Sequence, residues 1–293
     1  MRVSQSMTYN TYINDIMRRQ ESLNELNNKL STGKKVNAPS DDAVNAGRIL
    51  SSRSFLSTLA QYRRNIDSGF SYLNVAEKSL TGVKDVLTSI KEIAANNATG
   101  TMDATARANA ALVVSHLYDE LVSLGNSEFD GRYVFSGYLT GTPAFSSAGA
   151  FQGDANKYSI RISGSSTLEL GVNGGEVING AGGGVDILQT VSGLVTALNA
   201  NDVAGVEASI GGLDSAFNQV SDAVADIGGK VSRLRAAEST LSSTKLDVGV
   251  MISNLEDVDI AEVISELRLG QIALEAALTS AGKVFSVNIF NYI

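Results

Sequence analysis

Apolar side chains recur at alternating intervals of three and four residues at both ends of this 293-residue chain. Near the N-terminus they stand at Tyr9, Tyr12, Ile16, Leu23, Leu26 and Leu30, interrupted where Arg19 takes the expected place. Near the C-terminus the series is Ile260, Ile264, Leu267, Gln271, Leu274, Leu278, Ala281 and Phe285. An α-helix turns once in 3.6 residues, so each series gathers into a stripe that is stable only when another helix covers it. Gly33 can take the left-handed conformation that ends the first helix, with Lys34 and Lys35 near the negative end of its dipole. Asp259 and Glu262 form a capping-box pattern that opens the last one.

The two ends carry opposite charge. Residues 1–35 hold six basic and three acidic side chains, net +3, whereas residues 255–293 hold two basic and six acidic, net −4. Pairing of one end with the other is therefore favoured over self-pairing of either. A lone helical pair is marginal all the same, because the burial of one seam is comparable to the backbone entropy of ordering the residues that form it. The ends are expected to order fully only when neighbouring chains cover their remaining faces.

Between the ends, Pro39 and Ser40 predict a new helix start, Ser40 as its N-cap and Asp41 and Asp42 in its first turn. Its later half carries a second seam at Leu73, Ala76, Leu80, Val83, Leu87, Ile90 and Ala94. The run Asn96 to Gly100 breaks it, and a helix with Val114, Leu117, Leu121 and Leu124 on one face returns as an antiparallel hairpin. From Gly131 to Gly184, which holds 13 of the 28 glycines, apolar residues alternate at Tyr158, Ile160, Ile162 and at Leu168, Leu170, Val172. This predicts a small β-rich insert whose first strand runs from Arg132 to Gly137. Helical periodicity resumes with a short helix from Asp186 to about Asn199 and a long one from Asp202 to Leu255.

The expected fold is mainly α with a small β-rich insert, a long antiparallel helical bundle with coiled-coil ends. Its expected parts are an N-terminal helix (1–39), a helical hairpin (40–130), the insert (131–185), returning helices (186–255) and a C-terminal helix (256–293).

Composition narrows the function. Cysteine and tryptophan are absent, histidine occurs once and proline twice, which suits long helices and removes thiolate chemistry. A net charge of −8 repels nucleic acid. No stretch approaches the roughly 18 apolar residues of a membrane span, and the first residues show no signal-peptide core, so export is expected by another route.

Candidate chemical groups have plainer readings. His116, with Asp119 and Glu120 one turn on, reads as a surface or hydrogen-bonded histidine over a base or metal ligand. Asp41 and Asp42 read as helix-start residues over an acid/base pair. Glu256, Asp257 and Asp259 lack the alternating oxygens and glycine of a calcium loop. Gly33-Lys34-Lys35 follows a helix and lacks the upstream glycine of a phosphate loop, and Gly182-Gly183-Gly184 reads as a connection. No catalytic, cofactor or metal residue is assigned.

The stretch Leu30 to Asp42, LSTGKKVNAPSDD, resembles the flagellin superfamily, and Arg64, Asn65, Asp67 and Gly69 match its following helix. Asp130 to Phe145, DGRYVFSGYLTGTPAF, is similar to the branch of that superfamily that joins hook to filament, the type 3 hook-associated proteins. So are Val224 to Ser239, Leu255 to Leu267 and the ending NIFNYI. The resemblance spans nearly the whole chain. It implies terminal helices forming the inner tube of an axial assembly, long helices as the next layer and the insert on the outer surface. It also implies type III export of the unfolded chain to the outside of the cell. The partners implied are copies of itself, the hook-side junction protein, flagellin, the filament cap and an export chaperone. Tyr9, Tyr12, Ile16, Leu23, Leu26, Leu30, Ile264, Leu267, Leu274, Leu278 and Phe285 are then the expected subunit interface. Two alternatives stand beside this: a flagellin building the filament itself, and a secreted enzyme domain carried on coiled-coil ends.

Overall fold

The computed structural model describes residues 5–100 and 102–289, the side chains of 5, 6, 8 and 284–289 excepted. In chain order the elements are α1 (Gln5–Thr32), α2 (Ala43–Asn97), α3 (Ala104–Gly125), β1 (Glu128–Phe129), β2 (Arg132–Tyr133), β3 (Ser159–Arg161), β4 (Thr167–Glu169), α4 (Gly174–Val177), α5 (Ile187–Asn199), α6 (Val203–Glu256) and α7 (Ile260–Ile289). The fold is mainly helical with small two-stranded sheets, as the periodicity predicts. It divides into two compact units, one made of residues 1–58 and 243–293, the other of residues 59–242.

The 59–242 unit is built on heptads. Along α2, Leu59, Ile66, Leu73, Leu80, Leu87 and Ala94 recur every seven residues, and all are buried together with Ala76, Val83 and Ile90. Along α6, Val206, Leu213, Val220, Ile227 and Leu234 do the same, a repeat not singled out in the sequence. Each glycine inside α6 weakens the helix by about 1 kcal/mol relative to alanine. Each buried seam residue returns roughly 1.5–3 kcal/mol, so the helix runs on through Gly205, Gly211, Gly212, Gly228 and Gly229. At Gly69 on α2 the side-chain tips of Ile160, Leu170 and Leu234 come close: a Cβ would stand 2.9, 3.1 and 3.3 Å from them, so adding one would require these tips to shift.

Caps fall where short polar residues precede the helices. Asp103 accepts the Ala106 N–H at 2.6 Å at the start of α3, and Asp186 accepts that of Gln189 at 2.9 Å at the start of α5. For α2 the cap is Asp42, whose carboxylate accepts the N–H groups of Val44 and Asn45 at 3.1 and 2.9 Å. Ser40, the expected cap, and Asp41 lie before the helix. Asp41 instead accepts the N–H groups of Asn37 and Ala38 at 2.9 and 2.8 Å and closes the loop. These backbone hydrogen bonds, chiefly from Ala38 to Asp41 and from Asn45 to Asp42, hold both carboxyls below their ordinary range.

The insert holds two antiparallel hairpins. Asp130 and Gly131, both at positive φ (53° and 70°), form the two-residue turn that joins β1 to β2. The expected strand from Arg132 to Gly137 stops at Tyr133. Beyond it Val134 donates to Ser127 O, and the chain turns at Gly137 (φ 71°) into a loop held by Asp154. In the second hairpin Ile160 faces Leu168, both buried. Phe135 and Phe145 are fully buried, and Phe145 packs on Phe151 at 5.5 Å.

Arg107, in the first turn of α3, is almost wholly buried. Its guanidinium donates to the carbonyls of Asn97 at 3.0 Å and Thr99 at 2.7 Å, and to the Asn201 side chain. It thereby places a cation at the negative end of α2 and ties three chain segments. Arg107→Met is expected to destabilise the protein by about 2–4 kcal/mol, because buried carbonyls lose their donors. Arg107→Lys should restore only part of that, since an ammonium cannot span the same fork of acceptors. Guanidinium unfolding midpoints of the two variants check this.

Candidate functional site at the paired chain ends

The unit made of residues 1–58 and 243–293 brings the two ends of the chain together. α1 ends where Gly33, at φ 71°, returns its N–H to Lys29 O at 2.8 Å. The chain then meets its own far end. Lys34 bridges Asp257, Lys35 N–H donates to Glu256 O at 2.7 Å and Val258 N–H donates to Gly33 O at 3.0 Å. Because the end of α1 lies against the start of α7, the two helices pack antiparallel.

Glu256, the last residue of α6, anchors this joint. Its side chain is only 6% exposed, and its oxygens accept Arg53 Nη2 at 2.7 and 2.8 Å and Lys34 Nζ at 2.5 Å. Lys35 Nζ donates to Asn254 O at 2.6 Å, near the negative end of α6. The Lys34 hydrogen bond, helped by the Arg53 charge, holds the Glu256 carboxyl below its ordinary value, against the opposing effect of burial.

The neighbouring acids are also occupied by protein groups. Asp257 accepts the Ser253 hydroxyl at 2.5 Å, and Asp259 accepts the N–H groups of Ala261 and Glu262 at 2.8 and 3.3 Å as the cap of α7. His116 lies exposed on α3 in the other unit. Among the described residues no group of three or more His, Cys, Asp or Glu is arranged to hold a metal ion. No helix of the described residues is long and apolar enough to cross a membrane.

From the joint outward, the helix pair closes around Leu23, which is buried over Gly270: a Cβ there would stand 2.8 Å from Leu23 Cδ2. Tyr9, Tyr12, Ile16, Leu26 and Leu30 on α1 are half-buried, as are Leu267 and Leu274 on α7. The expected α7 seam is right at Leu267, Leu274 and Ala281 and off at Ile260, Ile264, Gln271 and Leu278. The covered stripe runs through Val263, Gly270 and Ala277, whereas Ile260, Ile264, Gln271 and Leu278 are exposed. The reason is steric. Leu23 of α1 sits over Gly270, and a glycine there gives a closer helix approach than isoleucine or leucine would. Phe285 lies outside the described side chains.

The pair is therefore half covered. Met7, Ile13 and Met17 on α1 and Ile264, Leu269, Ile272 and Leu278 on α7 stay exposed. Large apolar side chains in helical register on a solvent face mark an interaction surface.

These features define a class: a helical structural protein whose two ends pair and leave apolar stripes bare. Comparison with known proteins makes it specific. The bacterial flagellin N-terminal helical region matches residues 3–140 and the C-terminal helical region matches residues 210–293. Flagellar hook-associated protein 3 of Salmonella typhimurium is 26% identical, with 99% of each chain covered. Flagellin of Bacillus subtilis is 30% identical, with 94% of each chain covered. A putative flagellar hook-associated protein from Vibrio parahaemolyticus shares the fold with a TM-score of 0.69 at 24% identity, over 74% of this chain and 100% of that one. The chain belongs to the bacterial flagellin family.

The ion cluster yields a pH prediction. A carboxyl held low in the folded state stabilises it fully above its unfolded value, about 4.5, and that contribution is lost as pH falls through the lower folded value. Glu256→Gln is expected to cost about 1–3 kcal/mol near neutrality. The gap between variant and parent should shrink on acidification to roughly pH 3. Thermal unfolding at the two pH values measures it, and a gap that does not change with pH would contradict it.

Proposed function

We propose that this protein is a structural subunit of the bacterial flagellum that joins hook to filament and assembles through its terminal helices. The observation that carries the reading is the pair of chain ends, matched in charge and held at the Glu256 joint, with apolar stripes left bare on both helices. Full-length similarity to a hook-associated protein 3 supports the junction over the bulk filament.

In this assignment residues 1–39 and 256–293 form the inner axial layer, 40–130 and 186–255 the rod, and 131–185 an outward insert. The interface comprises Tyr9, Tyr12, Ile16, Leu23, Leu26, Leu30, Ile264, Leu267, Leu274, Leu278 and Phe285. The half-buried members would complete their burial against neighbouring copies, and the exposed members would find their first partner there. The other partners are the hook-side junction protein, flagellin, the filament cap and an export chaperone. The chain leaves the cell through the flagellar export apparatus. Its role is structural and it catalyses no reaction.

A flagellin role is the second reading, favoured by the 30% identity to the Bacillus subtilis filament protein. Antibody labelling of isolated flagella separates the two. The junction reading expects a short band at the filament base, and decoration along the whole filament, or filaments grown from the purified protein alone, would defeat it.

Leu278→Glu tests the assembly face directly. Leu278 is 51% exposed, so the variant should unfold within about 0.5 kcal/mol of the parent. Cells carrying it are nonetheless expected to shed filaments and lose motility, because a charge is buried between subunits. Normal filament retention would contradict the interface.

A further inference from the structure

In the 59–242 unit a cleft of about 240 Å³ opens between α2 and the insert, walled by Tyr72, Phe129, Tyr133, Tyr138 and Tyr158, with Asp130 and Arg132 on its rim. Four tyrosines of the chain's nine meet in this one place. The coiled-coil architecture does not require them. Three of the rings brace one another: Tyr72 donates its hydroxyl to Val134 O at 2.7 Å, stands edge-on to Phe129 at 6.3 Å and lies 5.8 Å from Tyr158. Burial pushes the Tyr72 hydroxyl up to about 12, so it stays protonated and in place.

The loop that carries Tyr138 is equally constrained. Gly137 sits at φ 71°, Asp154 accepts the Tyr138 N–H at 2.9 Å and that of Asn156 at 3.0 Å, and Tyr133 N–H donates to Thr140 O at 3.0 Å. Tyr138 nonetheless leaves 60% of its surface in solvent and Tyr158 leaves 41%. A held backbone beneath exposed aromatic rings is a partly preorganised binding surface, because little loop entropy remains to be lost when a ligand arrives.

We infer that this cleft is a binding site for a neutral carbohydrate. Ring faces carry partial negative charge and attract the slightly positive C–H groups on the flat side of a sugar. The rim sets the charge of the ligand. Arg132 would reject a cation and Asp130 an anion, and the two together offer a fork of donors and a carboxylate acceptor to neighbouring hydroxyls. The volume admits one sugar ring or two, and the open mouth leaves the rest of a longer glycan in water. A small site of this kind binds with a dissociation constant on the order of 1 mM. The inference is independent of the assembly role of the chain ends.

Saturation-transfer NMR on the full-length protein tests it, with maltose, lactose and N,N′-diacetylchitobiose as probes. Tyrosine fluorescence gives an independent titration, free of interference because the chain has no tryptophan. Transfer to the ring C–H protons of at least one probe is expected, weakened at least tenfold in Tyr138→Ala and in Tyr158→Ala while the far-ultraviolet circular dichroism stays unchanged. The inference is overturned if none of the three probes shows transfer, if transfer survives both substitutions, or if tetramethylammonium chloride displaces the sugar.

Discussion

The joint at Glu256 holds the two ends of this chain in register, through its ion pairs and through the backbone hydrogen bonds from Lys35 to Glu256 and from Val258 to Gly33. Glu256 is withdrawn from water with Arg53 on both of its oxygens and Lys34 beside it, and losing both cations would leave its carboxylate buried without a counter-charge. The joint brings residues 33–35 against 256–258, although more than 200 residues of chain separate them. From that fixed point α1 and α7 leave side by side, and Leu23 over Gly270 sets how closely they approach. Without the joint the helices would still form stripes, with nothing to fix which residue of one meets which of the other.

What the pair does not bury is as informative as what it does. Gly270 and Ala277 occupy the contact stripe, so the larger Ile264 and Leu278 are turned out beside it. An isolated globular protein gains nothing from that exchange, because it forfeits apolar burial. A subunit of an axial assembly gains two surfaces from one helix, a narrow one toward its own partner and a broad one toward its neighbours. Family membership and this distribution of side chains point the same way from unrelated observations.

Much of this was legible in the residues. Long helices follow from sustained heptads and the shortage of proline, and Gly33 and Asp259 mark the two helix ends that flank the joint. Asp42 in place of Ser40 as the cap of α2 shows the limit of such reading, since three short polar residues in a row compete and the loop closed by Asp41 decides among them. The α7 seam misled in the same way. Sequence spacing favours the largest apolar residues, whereas the covered stripe also takes in Gly270 and Ala277. The strand at Arg132 ends at Tyr133, and the loop beyond it is held by Asp154, sixteen residues after Tyr138, a contact no local pattern announces. Neither the Glu256 cluster nor the tyrosine cleft had a local signature, because their members come from distant parts of the chain and no spacing rule links them.

The terminal helices are expected to gain their final stability from neighbouring subunits. Hydrogen exchange followed by mass spectrometry, on the dilute monomer and on intact flagella, measures that directly. Amides of residues 5–32 and 260–289 should exchange quickly in the monomer and slow by at least about tenfold after assembly, while residues 59–97 change little. Equal protection of the terminal helices in both states would mean that they are complete on their own, and the interpretation of their bare stripes would be wrong.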